Sequence, residues 1–498
     1  MRCKALAALV LAAAALAALP AGAGASPRQI SIFHDEPVLR GFSVHDAEQS
    51  MIEVRELGAD MVRTFVYWSD VAPRPEARAM PEGFEPGDPN SGYDWSTYDA
   101  FVERAERYGL EVYLTISPPL PYWASEEPER CPHYVGGRRE HGESCFWKPR
   151  PRMFAQFVKA VARRYRGRVS LYSLWNEPNL EHYLYPQLRR SRFGVVDAAA
   201  KRYRRLWYEG WKAIAKYDPA MRRKVLFGET AAISSPMDTL RAALCLDPAG
   251  RPFRGRLRAL QGCSNPRKLP VGGFAHHPYG QAAGGSVFKR THSSDSLTMA
   301  YLGRLHALIE GAARRGRIPR NRGIYVSEFG FQSKPPDRYE GLPLGDHARA
   351  LNEADRLFYR DPRVRSVAQF QLYDSPEPEG QDLFNTGLRL IGGGLKPAYR
   401  AYRLPLTVER VSPGVVDVWG QVRPARRRVT VAIEANRRRG GRRIRVATVR
   451  TNRSGFFSRR VRRPAATQLR YGAAWRSPSG ELLRSRVARA GRRIRYLG

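Results

Sequence analysis

The strongest constraint on this chain is an alternation repeated along most of its length. Short apolar runs are separated by polar loops and by segments with helical period. The runs are Gln29–Phe33, Met61–Tyr67, Glu111–Ser117, Val169–Trp175, Lys224–Thr230, Gly273–His277, Gly323–Glu328 and Val364–Tyr373. Their near-continuous apolar character is that of strands covered on both faces. Between them, Tyr98, Phe101, Val102, Ala105 and Tyr108 fall on one helical stripe, as do Phe154, Phe157, Val158, Val161, Ala162 and Tyr165. Leu297, Tyr301, Leu305, Leu308 and Ala312 form a third stripe, with Asp295 as its expected cap. Eight strand–helix units predict an α/β fold, a (β/α)8 TIM barrel, over residues 26–404.

The pattern changes at Leu404–Pro405. Residues 405–498 carry short alternating segments, Val415–Trp419, Val429–Ala435, Ile444–Val449 and Leu469–Trp475, separated by Gly, Pro and Asn turns. They predict a small all-β sandwich or Ig-like domain. No stack of exposed aromatics marks a sugar-binding face there, and Trp419 and Trp475 are equally consistent with core positions.

The first 25 residues read as a secretory signal. Arg2 and Lys4 precede an apolar run from Ala5 to Leu19, and Ala23-Gly24-Ala25 offers small residues for cleavage before Ser26. The run is shorter than the ~20 residues of a spanning helix, and no later stretch is apolar enough to span. A secreted, extracellular product without a membrane span is expected. Export also makes disulfides the natural state of the four remaining cysteines. Loop locality favours Cys131–Cys145 and Cys245–Cys263 among three possible connectivities. A zinc site using His133 and His141 beside the first pair is the rival, but the spacing matches no zinc pattern. No metal and no cofactor are expected.

The net charge is +37, which raises nucleic acid as a partner. The distribution argues otherwise. From Leu404 onward there are 25 Arg, no Lys and 4 acidic residues. An arginine-only excess is a base-composition signature, and the interleaved aromatics of a single-strand binder are sparse. Nucleic acid is therefore not the expected partner. An anionic cell-wall polymer or acidic glycan is the partner such a domain would take, against the plainer reading of a solvated basic face.

Active sites of barrels sit at the C-terminal ends of the strands. The fourth run ends Trp175-Asn176-Glu177-Pro178-Asn179 and the seventh ends Ser327-Glu328-Phe329-Gly330. Two carboxylates facing each other across one mouth are what glycoside hydrolysis requires. One protonates the leaving oxygen, and the other attacks the anomeric carbon or activates water. Glu229, in Gly228-Glu229-Thr230, is a third carboxylate, read as a supporting or substrate-contact group rather than the nucleophile. His276 is read as a packed strand residue.

These motifs resemble clan A of the glycoside hydrolases, across roughly residues 29–400. Within the clan the chain looks most like the cellulase-like family 5, with family 39 close behind. The resemblance implies a retaining O-glycosidase acting on a β-linked oligo- or polysaccharide, without a metal. It assigns Glu177 as acid/base, Asn176 as the contact to the sugar 2-hydroxyl, and Glu328 as nucleophile. Arg63 would hold the nucleophile ionised. His277 and Tyr279 match the strand-6 pair, with Tyr279 hydrogen-bonded to the nucleophile. The clan's usual strand-8 Trp is replaced by Gln369-Phe370-Gln371-Leu372-Tyr373, so Tyr373 or Gln371 is expected to line the sugar subsite. Trp68 and Trp123 are expected as sugar platforms or as packing. A monomer is expected. The alternative is a non-catalytic cell-surface or polysaccharide-binding protein on a barrel scaffold.

Overall fold

The computed structural model describes residues 26–132, 144–280, 288, 290, 293–339, 341–375, 384–425, 427–437 and 441–497. The expected leader, residues 1–25, and His133 and His141 lie outside them. The eight apolar runs form eight strands: β1 (Ile30–His34), β2 (Met61–Tyr67), β3 (Glu111–Ser117), β4 (Leu171–Leu174), β5 (Val225–Ala231), β6 (Gly273–His277), β7 (Ile324–Phe329) and β8 (Val364–Phe370). They close into a parallel barrel in which β1 pairs with both β2 and β8. Helices follow the strands, among them Ser96–Arg107, Pro151–Arg164, Ala198–Tyr217, Leu302–Arg314 and Leu344–Arg360. This is the (β/α)8 TIM barrel.

The helical stripes bury as their spacing requires. Phe154, Phe157, Val158, Val161, Ala162 and Tyr165 are all inaccessible to solvent. Asp295 does not cap the third stripe. A 3-10 turn, Met299–Tyr301, precedes the helix, which starts at Leu302 with Tyr301 at its N-cap position. Asp295 lies 3.6 Å from Arg241 instead.

Inside the barrel, the two-residue side-chain period of strands stacks one layer on another. The lower layer is apolar and includes Ile32, Met61, Leu171, Leu226, Ala275 and Ala368. Two residues further along, the inward positions become His34, Arg63, Thr115, Ser173, His277 and Ser327, all fully buried. A closed apolar plug thus supports a dry polar layer directly beneath the mouth.

Residues beyond Leu404 form an all-β domain of two antiparallel sheets. One is β9 (Leu406–Ser412), β10 (Val415–Gln421) and, further along, β13 (Phe456–Arg462). The other holds β11 (Thr430–Asn436), β12 (Ile444–Arg450), β14 (Arg470–Arg476), β15 (Leu482–Arg484) and β16 (Ala488–Arg489). Inward residues of both sheets share one core, which includes Trp475. Trp419 lies instead against the barrel, its ring 5.2 Å from that of Tyr359. Arg356 donates to Asp417 at 2.8 Å and Arg360 to Glu409 at 2.7 Å across the same seam. Among the described residues no helix is long and apolar enough to cross a membrane.

Candidate active site

Arg63 organises the polar layer. Its Nη1 donates to Glu328 Oε1 at 2.7 Å and to the Ser327 carbonyl at 3.2 Å, and its Nη2 donates to Glu229 Oε2 at 3.0 Å. Nε donates to Thr115 Oγ1 at 3.0 Å. His34 Nδ1 lies 2.9 Å from Nη1. Burial, with the charges of Arg63 and His277, pushes the His34 pKa well down, so His34 accepts this bond as a neutral ring.

Glu229 is the anion around which the layer is assembled. It is fully buried and accepts from Ser173 Oγ at 2.5 Å, His277 Nε2 at 2.7 Å, Ser327 Oγ at 2.8 Å, Arg63, and Tyr113 Oη. Burial works to raise its pKa. The Arg63 charge and the His277 and Ser173 bonds outweigh burial and hold the carboxyl well below the usual range. A bulge puts it there. The β5–β6 register shifts between Gly228 and Thr230, inserting Glu229 as the extra residue. Gly228 has φ +118°, and a Cβ on it would meet the Ala275 carbonyl at 2.5 Å. The bulge also reaches the neighbouring strand, because the Glu229 carbonyl accepts from the Glu177 backbone N–H at 2.8 Å.

Glu177 follows β4 in a turn whose backbone is strained. Trp175 (φ 75°), Glu177 (φ 36°) and Glu229 (φ 45°) all occupy the left-handed region, which bulky residues avoid. Strain of this kind persists only where surrounding contacts fix it. Here Trp175 N donates to the Ile116 carbonyl at 2.7 Å and its Nε1 to the Tyr183 carbonyl at 2.9 Å.

His277 joins the carboxylates. Its Nδ1 is 2.8 Å from Glu177 Oε1, and its Nε2 lies 2.7 Å from Glu229 Oε2 and 3.6 Å from Glu328 Oε1. Burial alone would lower its pKa. Glu328, Glu177 and Glu229 together push it up to about 10, so the ring is an imidazolium donating at both nitrogens. Burial is the main cause that raises the Glu177 pKa. The His277 bond opposes it, and the Glu328 charge adds to it.

Tyr279 Oη donates to Glu328 Oε2 at 3.2 Å. One ligand-type atom each from Glu177, His277 and Glu328 lie within 4.8 Å of one another. Such a trio has metal-ligand chemistry, but a ligating His must give up a proton, and Glu328 and Glu229 favour keeping that proton on His277. Asn176 is 2% exposed and its Oδ1 has no hydrogen-bond partner among the described residues.

Of the sequence-predicted residues, Glu177, Glu328, Asn176, Arg63, His277 and Tyr279 come together at the mouth. Trp68 and Trp123 do not. They are 0% and 2% exposed, with Trp68 stacked 5.3 Å from Phe157 and edge-on to Trp123. Both are core packing, with no ring face open to a sugar. Tyr373 is also elsewhere, because β8 ends at Phe370 and the chain then turns aside. The Leu372 and Tyr373 N–H groups bind Asp35, and the Tyr373 ring stacks 3.6 Å from His45. Gln371 is buried and bonds Ser375. The strand-8 ring beside the site is Phe370, 5.0 Å from His34 and 6.4 Å from Tyr279. The sequence reading missed Phe370 and His34, although their places at the ends of two strands were a usable signal. The cysteines pair as Cys131–Cys145 and Cys245–Cys263.

No family model matches this chain, and no curated protein does. Similar solved structures include a family 39 glycoside hydrolase from the gut symbiont Bacteroides cellulosilyticus WH2. It is 14% identical, over 88% of this chain and 82% of that one, with a TM-score of 0.46. A β-glucosidase from Thermotoga maritima is 11% identical over 71% of this chain and 84% of its own, with a TM-score of 0.40. A GH113 β-1,4-mannanase is 12% identical over 76% and 97%, with a TM-score of 0.39.

Proposed function

We propose that this chain is an exported glycoside hydrolase that cleaves a β-linked glycan with retention, using Glu177 as acid/base and Glu328 as nucleophile. The carrying observation is the carboxylate pair itself. Oxygens of Glu177 and Glu328 lie within 4.8 Å, on the short side of the two spacings. Retaining pairs sit about 5–5.5 Å apart, whereas inverting pairs leave about 6.5–9.5 Å for a water.

Charge accounting supports the roles. Arg63 and His277 supply two buried cations, and Glu229 and Glu328 two anions. The layer is neutral when Glu177 carries its proton, and unpaired buried charge is costly. In the first step a Glu328 oxygen bonds to the anomeric carbon as the glycosidic bond breaks. The Glu177 proton passes to the leaving oxygen. Glu328 is then a neutral ester and Glu177 an anion, so the charge of the layer is unchanged. Loss of the Glu328 charge removes one influence that raised the Glu177 pKa, which suits Glu177 to take a proton from the attacking water. Asn176 Oδ1 is free to accept from a sugar hydroxyl. Two disulfides fit an oxidising compartment.

A panel of polysaccharides and aryl glycosides tests this reading. Glu177→Gln and Glu328→Gln should each lower turnover by about 10²–10⁴-fold or more. An activated aryl leaving group should restore the first step in Glu177→Gln alone. Wild-type turnover by either variant on the best substrate rules the assignment out.

A further inference from the structure

A second charged site lies at the seam between the barrel and the β domain, and unlike the balanced layer at the mouth it carries an excess of positive charge. A cavity of about 510 Å³ is lined by Arg400 from the helix Pro397–Arg403 and by Arg443, Arg484 and Arg486 from the β domain. Among the described residues no carboxylate lines it. Lys396, also at the wall, is neutralised by Asp374 at 2.5 Å.

The surrounding acids do not balance the four guanidinium groups. Glu434 is shared by Arg443 and Arg484 at 3.6 and 3.9 Å, and Glu353 lies 3.7 Å from Arg349. Arg486 donates only to neutral acceptors: Asn352 Oδ1 at 2.9 Å and the carbonyls of Leu406 and Val487 at 3.0 and 3.4 Å. Burial pushes the Arg486 pKa down to about 10, against the charge of Glu353 and with a smaller contribution from Arg349. All four acids of the domain, Glu409, Asp417, Glu434 and Glu481, already pair with arginines. The protein thus gathers four arginines around an open volume, with Glu434 shared by two of them and only the Glu353 charge acting on Arg486.

We propose that this seam cavity binds an anionic saccharide unit through its carboxylate or phosphate. Arginine forks match both groups bidentately. The volume is far larger than a lone oxyanion needs and falls within the ~300–1,000 Å³ of small-ligand sites. Leu395, Pro397 and Ala401 give one apolar wall, suited to the C–H face of a sugar ring. Among the described residues no aromatic ring lines the cavity, and base stacking is what a single-strand nucleic-acid site uses. Arg443 also lies over Gly472 of β14, its Nη1 3.8 Å from where a Cβ would be. The site therefore continues onto the outer face of the sheet, and a unit within a longer polymer can enter. The cavity does not include the catalytic carboxylates, so binding is separable from hydrolysis.

The test is titration calorimetry on the full chain at two salt concentrations. The probes are galacturonate and glucose 6-phosphate as free units, polygalacturonate and poly(glycerol phosphate) as polymers, and amylose and a DNA duplex as comparators. Anionic saccharides should bind and amylose should not. Binding by free units points to a small-molecule ligand, and binding by polymers alone to a cell-wall or matrix chain; either supports the site. The triple substitution Arg400→Gln, Arg443→Gln, Arg484→Gln should weaken binding by about tenfold or more. An equal charge loss on β13, Arg459→Gln, Arg460→Gln, Arg462→Gln, should change it less than about twofold. Equal losses in the two triples, equal binding of amylose, tighter binding of DNA than of any saccharide, or no saccharide binding would each overturn the proposal.

Discussion

Arg63 is a fully buried arginine and Arg486 a half-buried one, and the difference between their surroundings separates two kinds of site. Arg63 sits between two carboxylates, at 2.7 and 3.0 Å. Arg486 is held by neutral oxygens among other arginines. A buried cation with its counter-charges built in fixes geometry, and at the mouth it orders Glu229 and Glu328 before any substrate arrives. A half-buried cation hydrogen-bonded to neutral oxygens keeps its charge available to a ligand. Net charge conceals this distinction, since both arginines add equally to it.

Substitutions should separate the two surroundings by magnitude. Arg63→Met leaves Glu229 buried without its cation and should cost about 3–5 kcal/mol of stability in urea denaturation. The pH dependence comes next. The folded pKa of His277, about 10, lies above the ordinary histidine value of 6.5. Its stabilisation is therefore complete below about pH 6.5 and is lost as pH rises through about 10. Denaturation midpoints of the wild type should fall across that window, while those of His277→Gln should fall less. Arg486→Met orphans only neutral acceptors and should cost about 1–3 kcal/mol. A cost equal to that of Arg63→Met would erase the contrast between the two sites. Arg459→Gln, on the exposed part of β13, should stay within about 0.5 kcal/mol.

Much of the barrel was legible because its strands are apolar on both faces and its helices on one stripe. Periodicity finds both patterns without tertiary information. Glu177, Glu328 and His277 were legible because each stands at or near the end of such a run, and Arg63 because it is a charge inside one. The role of Glu229 was not, since it depends on a one-residue bulge that no period reveals. Trp68 and Trp123 misled for the opposite reason. Loop position suggests exposure, yet Phe154 and Phe157 of the following helix cover the Trp68 ring. Tyr373 failed because the apolar run continues three residues past the strand, so the ring at the site is Phe370. The seam cavity is formed by residues 400, 443, 484 and 486, which only the docking of the two domains brings together.

The central claim is that Glu328 forms a covalent bond to the sugar. It is tested most directly by incubating the protein with a panel of 2-deoxy-2-fluoro glycosides bearing activated leaving groups and mapping the adduct by peptide mass spectrometry. The account predicts a single glycosyl label on Glu328. A label on Glu229 or any other carboxylate would contradict it.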